Sequence, residues 1–164
     1  MITGCLYVIF VYDRCFMKKY LPFILILMMV FIIIGSSLIS GPKSYGFSRN
    51  IAVFINKVLH ALGEPENTVT TIDLIIRKLA HFMEYLILTI LLSIGFSNVV
   101  KKQGWALLTS TITAGFISML DEAFIQTASG RNSSLFDIMV DFMGIGAGLI
   151  VFTLMLWLNV KTKR

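Results

Sequence analysis

Charge is what this sequence has least of: Asp, Glu, Lys and Arg make up 14% of its 164 residues, against about 25% in ordinary soluble domains. So few charges cannot keep a surface of this size in water, which excludes a soluble domain. Cysteine occurs twice, histidine twice and proline three times. Cys5 and Cys15 both precede the first long apolar run, with neither CxxC nor lipobox spacing, so no disulfide framework is expected. The net charge of +5 comes from 14 basic and 9 acidic residues. In a lipid-facing chain such an excess serves orientation and anionic headgroups, so nucleic acid is not an expected partner.

What is abundant is apolar surface: 57% of the residues are hydrophobic, and the mean hydropathy is +0.85. A helix needs about 20 residues to cross a hydrocarbon core about 30 Å thick. Four runs approach that length, Tyr20 to Ile39, Leu79 to Phe96, Trp105 to Ile125 and Ile138 to Leu158. Backbone groups in lipid must be satisfied within the segment, so all four are expected to be helices. The fold class is thus all-α, an integral membrane four-helix bundle spanning residues 20–158.

Residues 1–19 form an N-terminal segment, in which Met17-Lys18-Lys19 reads as a start followed by a basic region. The run from Tyr20 is long for a cleavable signal, and no small-x-small site follows it. Basic clusters occur at Arg14, Lys18 and Lys19, at Lys101 and Lys102, and in the tail of residues 159–164. The positive-inside rule places all three in the cytoplasm, with both termini, and puts the other two connections outside. In the first outer connection, Ser48 is a candidate cap for an amphipathic helix with Ile51, Phe54, Ile55, Val58, Leu59 and Leu62 on one face, closed by Gly63 and Pro65. That helix is expected to lie at the interface, with His60 on its polar face. Thr70 and Asp73 form a capping-box pattern, so the second span is expected to begin near Thr71 and to enter the membrane at Leu79.

The polar residues gather at the outer ends. Lys78, His81, Glu84 and Tyr85 lie there on the second span, Asp121, Glu122 and Gln126 on the third, Arg131 in the loop, and Asp137 and Asp141 on the fourth. An ionisable group at mid-membrane costs about 2.5 kcal/mol or more, so such groups mark function unless paired structurally. At 100° per residue, Lys78, His81, Glu84 and Tyr85 share a stripe of roughly 120°, and Asp137, Asp141, Gly144 and Gly148 share a narrower one. Gly144-xxx-Gly148 permits close helix approach, which would bring the two stripes face to face. The plainer reading gives these groups structural work: Arg77, Lys78 and Arg131 at the headgroups, Asp137 favoured at a helix N-terminus, Asp121 paired with Arg131.

Taken in order, Lys78-Leu-Ala-His81-Phe82-Met-Glu84-Tyr85, Asp121-Glu122 with Gln126 and Arg131, and Asp137-Ile-Met-Val-Asp141 with Gly144 and Gly148 resemble the VanZ-like family of small bacterial membrane proteins. Ser36-Ser37 and Gly41-Pro42 are similar to that family's polar segment after the first span. The chain departs from the pattern at Asp141, where asparagine is common. The resemblance implies a four-helix protein of the bacterial cytoplasmic membrane connected with resistance to teicoplanin, and no established reaction or cofactor.

Three functional classes follow as expectations. In the first, Lys78, His81, Glu84, Tyr85, Gln126, Arg131, Asp137 and Asp141 bind a membrane lipid, a lipid-linked wall precursor or a lipoglycopeptide, Arg131 and Lys78 holding its anionic headgroup. In the second, His81, Glu84, Asp121, Glu122, Asp137 and Asp141 are candidate catalytic residues of a lipid hydrolase or transferase, acting as acid, base or metal ligands. Arg131, Asp137 and Asp141 have the separations of one lipid-phosphatase motif, but Asp137 stands in place of its central histidine. Gly144, Gly146 and Gly148 lie in a membrane helix, so no nucleotide loop is expected. The third class is a proton-coupled carrier threaded through Thr109, Thr111 and Thr113.

Overall fold

The structure is a computed structural model that describes residues 2–38, 44–61, 69–126 and 135–162, with side chains described in 20–38, 49–58, 60–61, 69–123 and 135–158. Apart from the turn at residues 98–102, the described residues are helical. They form α1 (Ile2–Leu38), α2 (Ser44–Ala61), α3 (Val69–Ser97), α4 (Gln103–Leu120), a π-helical turn (Asp121–Gln126) and α5 (Leu135–Thr162).

Three segments are long and apolar enough to cross a membrane: Tyr20–Leu38 within α1, Val69–Ser97 and Leu135–Leu158. Their outward faces carry large apolar side chains in the open, among them Leu27, Phe31, Ile75, Leu79, Met143 and Ile150. Such faces are stable only against lipid or another apolar surface. The expected third span differs from these three. Its α-helix ends at Leu120, short of Ile125, and it carries Thr109, Ser110, Thr111, Thr113 and Ser118. The hydroxyls of Thr109, Ser110 and Thr111 turn back onto carbonyls of their own helix, those of Trp105, Ala106 and Leu107. Such local bonds satisfy these hydroxyls within their own helix.

α3 is the central element, packing against α1, α2, α4 and α5, and most extensively against α5. Glycine makes that contact possible. A Cβ on Gly144 would fall on the Phe82 carbonyl oxygen, and one on Gly148 would lie 2.7 Å from the Leu86 carbonyl oxygen and 2.9 Å from Thr89 Cβ. The face-to-face approach expected from Gly144-xxx-Gly148 is therefore present. α4 adds a ridge of small buried residues, Ala106, Ser110, Ala114, Gly115 and Ser118, with the Phe142 ring of α5 against Gly115. Met29, Ile33, Tyr85, Leu88, Leu92, Ala114 and Ile145 make the core between these helices.

The boundaries shift in ways that matter for the site. α2 begins at Ser44 rather than after Ser48. α3 begins at Val69, so Thr70 lies inside the helix and is not its cap. Ile72 and Asp73 are buried in that first turn, and tertiary packing extends the helix beyond what capping alone supports. At 29 residues, α3 is about 44 Å long against a hydrocarbon core of about 30 Å, a surplus taken up by tilt or by a protruding end. α5 begins at Leu135, with Asp137 in its first turn, where the helix dipole favours an acid.

Candidate functional site

The site lies where the last turn of α1, the first half of α3, the π turn and the start of α5 meet. The π turn decides its composition. Successive residues of an α-helix point 100° apart, which would send Asp121 and Glu122 to different faces, whereas the wider i→i+5 turn narrows that angle. Both side chains are buried, at 1% exposure each, as is Asp141. Burying three carboxylates is costly unless each finds donors.

For Asp121 and Asp141 the donors come from other helices. Ser37 Oγ donates to Asp121 Oδ2 at 2.8 Å, and Ser118 Oγ donates to Asp141 Oδ2 at 2.8 Å. Ser36 Oγ lies 2.9 Å from the Ile33 carbonyl and 3.2 Å from Glu84 Oε1, offering its proton to either. His81 Nδ1 stands 3.8 Å from Glu84 Oε2 and 3.8 Å from Asp141 Oδ1, an imidazole between two carboxylates. Tyr85, wholly buried, lies within the electrostatic reach of Asp141, Asp121 and Glu84. At the rim, Lys78 Nζ pairs with Asp137 Oδ1 and stands 4.4 Å from the centre of the Phe136 ring.

The structure thus brings together Lys78, His81, Glu84, Tyr85, Asp121, Glu122, Asp137 and Asp141. The Gln126 side chain and Arg131 lie outside the described residues, and with them the expected Asp121–Arg131 pair. Ser118 was not singled out by sequence reasoning, and Ser36 and Ser37 were seen only as a polar segment. Serine in an apolar helix is common, and nothing in its local spacing names an acceptor 84 residues away, as for Ser37 and Asp121. Among the described residues, no three of His, Cys, Asp and Glu are disposed to hold a metal ion. Chemically, the arrangement offers acceptors and one imidazole within the bundle, and a lysine–aspartate pair at its edge.

No family model matches the chain, and no curated protein or solved structure matches it.

Proposed function

We propose that this chain is a VanZ-like protein of the bacterial cytoplasmic membrane that engages an amphiphilic or lipid-linked ligand through a polar site open to the outer leaflet, and thereby alters susceptibility to teicoplanin-type antibiotics. In this reading α4 with its π turn is a fourth span, α2 lies along the outer interface, and both termini are cytoplasmic. The observation that carries the proposal is the convergence of His81, Glu84, Asp121, Glu122 and Asp141 from three elements into one buried cluster. A bundle needing only stability would place apolar side chains there at lower cost. Arg131 and Lys78 supply the charge for an anionic headgroup, and the carboxylates accept from its hydroxyl or amide donors.

The test is expression in a teicoplanin-susceptible bacterium. The wild-type chain is expected to raise the inhibitory concentration of teicoplanin. Glu84→Gln and Arg131→Gln are expected to abolish that rise at equal membrane abundance. An unchanged rise in both variants sinks the proposal.

The imidazole between two acids favours a second reading, catalysis on a lipid phosphate or lipid-linked precursor with His81 as general base or nucleophile, held in place by Glu84 and Asp141. Here His81→Gln keeps lipid binding and loses turnover, measured as phosphate release or altered membrane lipid composition. Binding and turnover lost together count against it.

A further inference from the structure

We propose that the face between α2 and α3 holds a hydroxyl-bearing phosphate group, of the kind a glycerophosphate presents. This deepens the amphiphile-binding reading above and rests on it for the direction from which a ligand reaches His81.

A cavity of about 270 Å³ opens between the two helices, lined by Arg49 of α2 and by Val69, Thr70, Asp73, Leu74 and Arg77 of α3. Its size suits a headgroup rather than a whole lipid. A smaller cavity of about 60 Å³ shares Leu74 and Arg77 with it and continues to Lys78, His81 and Asp137. Thr70, Asp73, Leu74, Arg77, Lys78 and His81 recur at three- and four-residue spacing, so the two cavities follow one face of α3 toward the buried cluster.

The chemistry of this face is specific. Arg49, Arg77 and Lys78 face Asp73 and Asp137, which leaves one positive charge in excess. Lys78 engages Asp137, and Arg77 Nη1 forms an ion pair with Asp73 Oδ2 at 4.0 Å, beyond hydrogen-bond length and therefore not a donor to that carboxylate. Asp73 is 6% exposed, and its Oδ1 is buried with no hydrogen-bond partner among the described residues. A buried acceptor without a donor is costly and rare. The cavity beside it therefore suits a ligand that brings both a donor and a negative charge: a hydroxyl for Asp73, and phosphate oxygens for the forks of Arg49 and Arg77. Asp73, Arg77 and Lys78 place this end of α3 at headgroup depth, and the exposed Leu74 and Ile75 give an acyl chain an apolar path beside it.

The experiment measures retention of short-chain lipids by the full-length protein in detergent, using native mass spectrometry. The probes are phosphatidylglycerol, phosphatidic acid and phosphatidylcholine, with free glycerol phosphate as competitor. The wild type is expected to retain phosphatidylglycerol over phosphatidylcholine. Arg49→Gln, at an exposed position that leaves the fold intact, lowers phosphatidylglycerol retention about tenfold, the scale of one charge-assisted bond. Asp73→Asn removes the preference for phosphatidylglycerol over phosphatidic acid while phosphatidic acid is still held. Displacement by free glycerol phosphate identifies a soluble source for the group, and its failure to displace identifies the bilayer; either supports the groove. Equal wild-type retention of phosphatidylglycerol and phosphatidylcholine overturns the proposal, as does retention unchanged in both variants. Glu84→Gln separates this from the reading above. Normal lipid retention in the groove variants, with teicoplanin tolerance lost in Glu84→Gln, removes the groove alone. Lost retention in the groove variants, with tolerance unaffected by Glu84→Gln, removes the functional reading and leaves the groove.

Discussion

Ser118 and Ser110 stand two turns apart on the same buried ridge of α4 and do different work. Ser110 Oγ donates to the Ala106 carbonyl of its own helix at 2.7 Å, while Ser118 Oγ reaches across to Asp141. Replacing a donor that serves a buried carboxylate leaves that acceptor's desolvation uncompensated, so Ser118→Ala is expected to destabilise the protein by about 1–3 kcal/mol. Ser110→Ala removes only a back-bond to an already bonded carbonyl and is expected to cost about 0.5 kcal/mol or less. Thermal unfolding of the two variants in the same detergent compares them; equal melting temperatures would deny Ser118 its role. Ser37→Ala, which leaves Asp121 Oδ2 without the α1 hydroxyl, is expected to lower the melting temperature as Ser118→Ala does. At this scale the acids were legible in the sequence and their donors were not. A carboxylate in an apolar run announces its own cost, but a serine has no such signature. The partner of each acid lies on another helix, at separations of 84 residues for Asp121, 48 for Glu84 and 23 for Asp141.

Among the elements, the α3–α5 contact was the most readable from sequence, because small residues at i and i+4 have one common use in apolar helices. Its energetics are testable within a single helix turn. Gly144→Ala and Gly148→Ala must push backbone away from backbone and are expected to cost about 2–3 kcal/mol each. Gly146, around which a Cβ would meet nothing within 4 Å, is expected to accept alanine with no loss. Cysteine cross-linking between α3 and α5 should fall in the first two variants and hold in the third, and the same cross-linking yield in all three would refute close packing at these glycines. The π turn was not readable. A continuous α-helix through Ile125 satisfies the periodicity equally well, and only the need to bury Asp121 and Glu122 together against the end of α1 selects the wider turn. The start of α3 falls at Val69, two residues before the expected Thr71. The Thr70–Asp73 pattern favours a cap, but Asp73 is drawn into the face that meets α2.

For the whole molecule, the pattern of basic residues makes a definite topological prediction. In a cysteine-free background, Gln103→Cys, exposed at the first residue of α4, is expected to react with an impermeant maleimide only after the membrane is opened. Thr70→Cys, exposed at the other end of α3, is expected to react in intact cells. The reverse pattern would turn the polar site toward the cytoplasm and end the outer-leaflet reading.

The sequence by itself determined that the chain is helical, that most of its outer faces need lipid, and that the acids within its apolar runs collect at one end of the spans. Those properties follow from composition and from the 1.5 Å rise of a helix, both of which are local. Only the tertiary structure decided that α3 is the centre of the bundle, that hydroxyls from α1 and α4 serve acids on three other elements, and that a cationic groove lies between α2 and α3. Each of these depends on the rotation and depth of one helix against another. Close packing at a few atoms sets that relation, above all at Gly144 and Gly148, and no regularity within a single helix encodes it.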